Sequence, residues 1–267
     1  MKKKLLIGFS TIVLTCLYLP ILVLILFSFN KSRINAEWSG FTFQWYLNLF
    51  DNPQIVDAFI NSLLIAIITT ILSTILGTIC ALALHKYKYK FSKLISGLIY
   101  LPIVVPDILM GIALLILFTN FHFELGSMTI IIAHVTFCIS YVVILLTARL
   151  SGMSKDLEDA ASDLGATPWQ TFRYITLPAI MPGIIASALL SFTLSIDDFV
   201  ISFFVSGPSS TTLPIYIYGM VKKGVTPEIN AISTILIVTI IGLMVLSEVY
   251  RTKGINTENT KKKSYIV

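Results

Sequence analysis

Asp156–Pro178 reads DLEDAASDLGATPWQTFRYITLP, a polar segment that separates two long apolar runs of the chain. The run before it is Met128–Thr147, and the run after it is Ala179–Val205. Residues 151–166, which include its first half, carry one base, Lys155, and four acids: Asp156, Glu158, Asp159 and Asp163. No other part of this chain has the composition of a surface on which a soluble protein docks. The rest of the sequence is therefore interpreted around it.

The composition is that of an integral membrane protein. Of 267 residues, 56% are hydrophobic and only 12% are charged, against roughly 25% charged in an ordinary globular domain. A bilayer core about 30 Å thick needs about 20 apolar residues per helix. Six runs are long enough: Leu5–Phe29, Ala58–Leu84, Leu94–Phe118, Met128–Thr147, Ala179–Val205 and Ile229–Val249. These runs predict an all-α polytopic protein with six transmembrane helices in a single domain over residues 1–267.

Basic residues predict the orientation of these six helices, because Lys and Arg accumulate on the cytoplasmic side of a membrane. If the spans alternate, one side holds Lys2, Lys3, Lys4, Lys86, Lys88, Lys90, Lys93, Arg149, Lys155, Arg173, Arg251, Lys253, Lys261, Lys262 and Lys263. The other side holds Lys31, Arg33, Lys222 and Lys223. This asymmetry places both termini, the loop 148–178 and the charged tail 251–267 in the cytoplasm. It also explains the basic pI of 9.0 without nucleic acid; the expected surroundings are membrane lipid.

Local signals divide the 148–178 loop into two short helices. Ser154 can cap the first helix, and Gly165 suits the left-handed residue that commonly follows a helix end. Thr167 and Gln170 have the spacing of a capping box, with Pro168 at the first helical position. Pro178 is expected to end the second helix before the fifth span.

The first of these helices has an apolar face and an acidic face. Leu157, Ala160, Ala161 and Leu164 recur at helical spacing, whereas Asp156, Asp159 and Asp163 fall on another side. An acidic cytoplasmic loop forgoes the attraction of about 1 kcal/mol that each Lys or Arg gains near an anionic leaflet. Small alanines beside carboxylates suit docking into a groove that carries basic residues. Packing of an ordinary amphipathic helix on its own bundle explains the pattern equally well.

A sequence motif in this loop is more specific than these physical arguments. Asp159-Ala160-Ala161, three residues, Gly165, nine residues and Ile175-x-Leu177-Pro178 resemble the E-A-A-x3-G-x9-I-x-L-P loop of ABC importer permeases. The resemblance implies the type I importer fold and a loop that seats in a cleft of a cytoplasmic ATPase subunit. The implied coupling residues are Glu158, Asp159, Ala160, Ala161, Gly165, Leu177 and Pro178. Asp159 replaces the usual Glu and is one methylene shorter, so the acid contact is expected either to be shorter or to fall partly to Glu158.

The resemblance continues beyond the loop. Ser191–Phe199, Phe204–Pro208 and Met220–Ala231, together with Val105-Pro106-Asp107, are similar to the second permease subunit of spermidine/putrescine importers. This implies a multi-pass protein of the bacterial inner membrane that forms a path for polyamines. The implied partners are a second related permease, ATPase subunits and an extracytoplasmic solute-binding protein. Permeases for iron, sulfate or thiamine share the loop motif, so those solutes remain alternatives.

Three acids in or near the apolar runs independently favour a cationic substrate. Asp107, Asp197 and Asp198 are costly there, since an Asp at mid-membrane costs about 2.5 to 3.5 kcal/mol to insert. No Lys or Arg lies in any of the six runs, so these acids are expected to have no internal salt bridge. A passing cation could satisfy the acids in a substrate path; hydroxyls, backbone groups or water could also do so. His134, alone in the fourth run, is expected to bond a carbonyl of a neighbouring helix rather than a metal.

The motifs of common enzyme classes are missing from the chain. It has no G-x-x-x-x-G-K-[ST] phosphate loop, no H-E-x-x-H and no G-x-S-x-G. We therefore expect no catalytic residues, cofactor or metal site, and ATP hydrolysis by a partner. An ion-coupled secondary transporter is a weaker alternative, because no repeat relates the two halves. A membrane scaffold would leave the intramembrane acids without a purpose.

Overall fold

Helices make up nearly all of the structure, a computed structural model that describes residues 2–32, 37–87, 91–154, 156–224 and 226–264. The helices in these ranges are α1 Lys2–Phe27, α2 Gln44–Asp51, α3 Pro53–Lys86, α4 Ser92–Val104, α5 Asp107–Asn120, α6 Ser127–Ser151, α7 Asp156–Asp163, α8 Pro168–Thr171, α9 Leu177–Ile196, α10 Val200–Val205, α11 Leu213–Lys223 and α12 Pro227–Ser264. A π turn, Phe172–Thr176, joins α8 to α9. Four of the basic residues on which the topology prediction depends lie outside the described residues: Arg33, Lys88, Lys90 and Lys155. So does the end of the predicted tail, 265–267.

Five helical segments in the described ranges are long and apolar enough to cross a membrane. They are Lys4–Phe27, Pro53–Lys86, Ser127–Ser151, Pro168–Ile196 and Pro227–Leu246. A sixth span results if the bent pair α4 and α5 counts as one. The predicted all-α polytopic architecture is therefore confirmed.

The third predicted span, 94–118, is not one continuous helix. It divides at Val105 and Pro106, and the two halves meet at an angle of 109°. Proline has no N–H for the helical ladder and pushes the residue before it towards extended backbone, and Val105 has a ψ of 129°. The break places Asp107 at the first position of α5.

The fifth predicted span, 179–205, also differs from the structure at both ends. Its helix begins at Pro168 and continues through the π turn to Ile196. The expectation that Pro178 separates a loop helix from the span is wrong. The wider π turn places the Leu177 N–H on the Phe172 carbonyl, which accommodates a proline without a sharp stop. At the other end, residues 197–199 interrupt the predicted span before α10 begins.

The sixth span likewise continues beyond its predicted end. The predicted helix is 229–249 and the predicted tail starts at residue 251, but α12 extends to Ser264. Most of the described tail is therefore helical.

The chain divides into two compact units. The smaller comprises residues up to Phe59 together with Leu213–Ile240. Its core is formed by Trp45, Leu49, Ile55, Ala58, Leu213, Ala231 and Ile232. Asn30 is fully buried and organises the turn after α1, since its side chain accepts hydrogen bonds from the backbone N–H groups of Ser32 and Ser39. The Trp45 indole donates to the Asn30 carbonyl over 2.7 Å.

The larger unit comprises Ile60–Thr212 and the chain after Ile241. Helix α6 lies at its centre and packs along α9, α4 and α10. Small residues permit close helix approach, as is typical in membranes: a Cβ on Gly77 would lie 2.6 Å from Val142 Cγ1. Gly207 is tighter still, because a Cβ there would meet the Leu125 carbonyl oxygen. Packing around α6 thus positions the two helix breaks and the α7–α8 loop.

Candidate functional site

The larger unit contains a cavity of about 290 Å³ that is lined by all three predicted intramembrane acids, Asp107, Asp197 and Asp198. Asp107 reaches it from the break between α4 and α5. Asp197 and Asp198 reach it from the break between α9 and α10. Two interruptions that the hydropathy pattern did not predict thus bring together carboxylates about 90 positions apart in the sequence.

Aromatic and aliphatic side chains form the rest of this cavity's lining. The aromatic residues are Phe137 and Tyr141 of α6 and Phe199 beside the acid pair. The others are Pro102, Leu194, Val200 and Ile201. A wall of carboxylates and aromatic faces suits a cation with an apolar stem, because aromatic faces attract cations. We refer to this space as the acid cavity.

The two neighbouring aspartates differ in their surroundings. The Asp198 carboxylate accepts hydrogen bonds from the Ser202 N–H over 2.7 Å and from the Ile201 N–H over 3.4 Å. It thereby supplies acceptors to the first turn of α10. Asp197 is exposed, and among the described residues no other side chain bonds its carboxylate. Asp198 is therefore held by hydrogen bonds, whereas the Asp197 carboxylate is exposed to the cavity.

His134 is the partner that the sequence argument missed. Its Nε2 lies 3.2 Å from Asp198 Oδ2 and 3.0 Å from Ser202 Oγ, and its Nδ1 lies 2.7 Å from Ser195 Oγ. The expected bond to a helix carbonyl is wrong, and so is the expectation that Asp198 has no internal salt-bridge partner. The sequence does contain a signal for this contact: a histidine lies in one apolar run and an acid pair lies in another. Ionisable residues inside a membrane usually pair with one another.

The loop between α6 and α9 has the local structure that its sequence predicts. The Ser154 hydroxyl accepts from the Asp156 N–H at the start of α7. Gly165 has a φ of +83° after the helix end, a conformation that favours glycine. The Thr167 N–H donates to Gln170 Oε1 over 2.7 Å, and the Gln170 N–H donates to Thr167 Oγ1 over 3.3 Å. The predicted capping box and both helix starts are confirmed.

The apolar face predicted for α7 is largely uncovered in this chain. Ala161 is buried, whereas Ala160, Leu157 and Leu164 are exposed, Leu164 to 90%. Asp159 is exposed as well. Of the two interpretations left open by the sequence, packing of this face on the chain's own bundle accounts only for Ala161.

The Glu158 side chain, unlike the exposed Asp159, contacts the rest of the chain. Its carboxylate accepts a 2.5 Å hydrogen bond from the hydroxyl of Thr176 in the π turn. Both residues line a cavity of about 490 Å³ between the end of α3 and the α7–α8 loop, together with His85, Lys86 and Asp159. Glu158 therefore belongs to the attachment of α7, and Asp159 and Ala160 belong to its exposed surface. Leu177 and Pro178, the other motif residues, lie in the first turn of α9.

Comparison with known proteins gives the class. Residues 73–252 match the family model described as "Binding-protein-dependent transport system inner membrane component", and the chain belongs to this family. It is therefore a multi-pass inner-membrane component of a transport system.

The individual relatives are polyamine permeases by name. The spermidine/putrescine transport system permease protein PotC of Haemophilus influenzae is 42% identical over 92% of this chain and 96% of its own length. PotC of Escherichia coli K12 is 41% identical over 95% and 97%. The putrescine transport system permease protein PotI of E. coli K12 is 42% identical over 84% and 82%.

Solved structures confirm the importer fold. A bacterial ABC transporter involved in the import of the acidic polysaccharide alginate matches with a TM-score of 0.72 at 17% identity, over 94% of this chain and 96% of that chain. The MetNI methionine ABC transporter in inward-facing conformations matches with a TM-score of 0.60 at 14% identity, over 76% and 99%. The fold implied by the loop motif is thus confirmed.

Proposed function

We propose that this chain is the membrane-spanning permease subunit of an ATP-driven importer and forms the translocation path for polyamines, spermidine and putrescine. The observation that carries the proposal is the acid cavity, in which Asp107, Asp197 and Asp198 line one space. Relatives that bear polyamine names and cover nearly the whole chain support the same substrate class.

The acid cavity has the chemistry that a polyamine requires. Each ammonium group must exchange its hydration for other oxygen ligands, and the exposed carboxylates of Asp107 and Asp197 supply them. The methylene stem between ammonium groups can lie against Phe137, Tyr141 and Phe199. A sulfate ion would meet like charge here, so the cavity opposes that alternative.

The family and the exposed surface of α7 support three partners. An ATPase subunit docks on the exposed acidic α7, a second related permease completes the path, and an extracytoplasmic solute-binding protein delivers substrate. This arrangement requires both termini in the cytoplasm, the side that the basic residues favour. ATP hydrolysis belongs to the docked subunit.

Coupling between the ATPase and the acid cavity runs along one helical segment. Residues 168–196 are continuous through the π turn, a length of roughly 40 Å at 1.5 Å per residue. One end adjoins the α7–α8 loop, and the other ends at Asp197. The hydrogen bond from Thr176 to Glu158 attaches α7 to this segment. Movement of α7 by the ATPase therefore displaces the end of α9 and, with it, the acid pair.

Thr176→Val tests this attachment, because valine has nearly the same shape and lacks the hydroxyl that bonds Glu158. A hydrogen bond to a charged group contributes about 1.5 to 3 kcal/mol, so we expect ATP hydrolysed per polyamine transported to rise at least about threefold. The measurement is ATPase rate and uptake rate in the same reconstituted vesicles. Ser162→Ala is the matched control, since the Ser162 hydroxyl donates to the Glu158 carbonyl of its own helix. An unchanged ratio in Thr176→Val contradicts the attachment.

The function itself is tested by isolating the tagged chain with its partners and reconstituting the complex in vesicles. We expect an ATPase and a second permease to co-purify, and the binding protein to support ATP-dependent uptake of labelled spermidine that unlabelled putrescine reduces. Co-purification of the ATPase without any polyamine uptake would retain the importer class and exclude this substrate. Parallel uptake assays with thiamine, iron and sulfate would then identify the class of solute.

A further inference from the structure

His134 lies at the junction of three elements around the acid cavity. It is fully buried in α6, and its two ring nitrogens contact side chains on both sides of the break between α9 and α10. Nδ1 is 2.7 Å from Ser195 Oγ at the end of α9, and Nε2 is 3.0 Å from Ser202 Oγ in α10. Nε2 is also 3.2 Å from Oδ2 of Asp198 within the break. The His134 imidazole therefore connects α9, the break at Asp198 and α10.

Asp198 transmits this contact to the backbone. Its Oδ2 atom, which faces His134, also accepts the Ser202 N–H over 2.7 Å. Val205, at the far end of α10, accepts from Thr129 Oγ1 of α6 over 2.7 Å. Helix α10 is thus bonded to α6 at both ends.

The position of α10 also bears on Asp107. Phe204 of α10 packs so closely on α5 that a Cβ on Gly111 would lie 2.7 Å from its ring. Asp107 begins α5, one turn before Gly111. The placement of α10 consequently influences the separation between Asp107 and the acid pair.

We infer that His134 is a positioning residue for transport: it retains Asp198 in the break, so that Asp107 and Asp197 are the two carboxylates left for ammonium groups. This inference rests on the proposed function for its substrate. His134 need not touch the polyamine. It acts through Asp198, which without the imidazole would lose a partner in a setting where an unpaired charge is costly. Asp198 would then leave the Ser202 N–H and release the start of α10.

The transport test compares His134→Leu with His134→Gln in the assembled importer. Leucine is apolar and removes both ring contacts, whereas the glutamine amide keeps an N–H donor for Asp198. We expect kcat/KM for spermidine uptake to fall at least about tenfold in His134→Leu, the effect of one lost hydrogen bond to a charged group. His134→Gln should stay within about threefold of the wild type.

A double variant separates action through Asp198 from general packing. If His134 acts through Asp198, His134→Leu combined with Asp198→Asn should be no worse than the more damaging single variant, because coupled residues are non-additive. Losses that multiply would overturn the inference, and so would full uptake in His134→Leu. Thr136→Val is the control on α6, since that hydroxyl donates to the Ile132 carbonyl of its own helix.

Amide hydrogen exchange of the purified complex gives a readout that needs no substrate. Exchange at residues 199–205 should accelerate at least about tenfold in His134→Leu and remain near the wild-type rate in His134→Gln and Thr136→Val. Unchanged exchange in His134→Leu would overturn the positioning role whatever the solute. A wild-type complex that transports no polyamine would contradict the proposed function instead, and the exchange rates would still decide on His134.

Discussion

Asp197→Asn will reduce kcat/KM for spermidine uptake about tenfold to a hundredfold, because a neutral amide cannot replace a carboxylate as the partner of an ammonium group. The range follows from the roughly 1.5 to 3 kcal/mol that hydrogen bonds to charged groups contribute. Asn has the same shape as Asp, and the side chain is exposed without another described side chain on its carboxylate. The folded chain should therefore be unaffected. Initial uptake rates over a range of spermidine concentrations, normalised to the amount of assembled complex, measure the effect.

The contrast among the acids makes this result informative. Asp107→Asn should reduce uptake in the same way, since Asp107 is also exposed and lines the acid cavity. Asp198→Asn should instead disturb α10, whose amides its carboxylate accepts. Glu124→Gln is the matched control, because it removes one exposed acid that does not line the cavity. Uptake at the wild-type level in both Asp197→Asn and Asp107→Asn would exclude the acid cavity as the polyamine path.

Ala160→Arg will abolish transport, with uptake reduced at least about a hundredfold, while the chain still folds and inserts. Ala160 is exposed on α7, so the new side chain meets no obstacle within the chain itself. It does obstruct a docking partner, and it adds a positive charge opposite the basic groove that acidic α7 is expected to enter. Like charges juxtaposed across an interface cost several kcal/mol, which corresponds to a hundredfold or more. The measurements are uptake and the amount of ATPase retained by the tagged chain.

Ala160→Ser is the control for this experiment, because it keeps a small side chain at the same position and should retain both ATPase binding and transport. Ala161→Arg should behave differently, since Ala161 is 8% exposed and packs within the chain; we expect loss of the α7–α8 structure itself. Normal ATPase retention and uptake in Ala160→Arg would exclude the exposed face of α7 as the coupling surface.

Local chemistry explains why the α7–α8 loop was predictable in detail. Its helix boundaries depend on groups one to four residues apart: the Ser154 hydroxyl, the left-handed Gly165, and the reciprocal bonds of Thr167 and Gln170. Capping and backbone preferences operate at that range, so the sequence pattern contains them. The error at Pro178 arose where local rules allow two outcomes. A proline can end a helix or begin the next one after a wider turn, and packing of the span selected the second.

The composition of the acid cavity was only partly predictable. The cost of an acid in an apolar span marked Asp107, Asp197 and Asp198 without any structure. Hydropathy predicts each span as one continuous run, because it averages over about 20 residues and does not register a break of two or three. The partners of His134 come from α9, α10 and the break between them, which are remote from it in sequence.

The sequence by itself determined the membrane setting, the helical class and the local structure of the α7–α8 loop, because each depends on composition, on hydropathy over one span or on contacts within a few residues. The tertiary structure alone decided that Asp107 meets Asp197 and Asp198, that His134 occupies Asp198, and that one continuous helix connects the loop to the acid pair. Those features depend on distances between segments remote in sequence, where the energy of burying a charge is offset by whichever partner the packing brings within reach. The sequence identifies the three acids that could line a substrate path, and the packing determines which of their carboxylates remain available for a ligand.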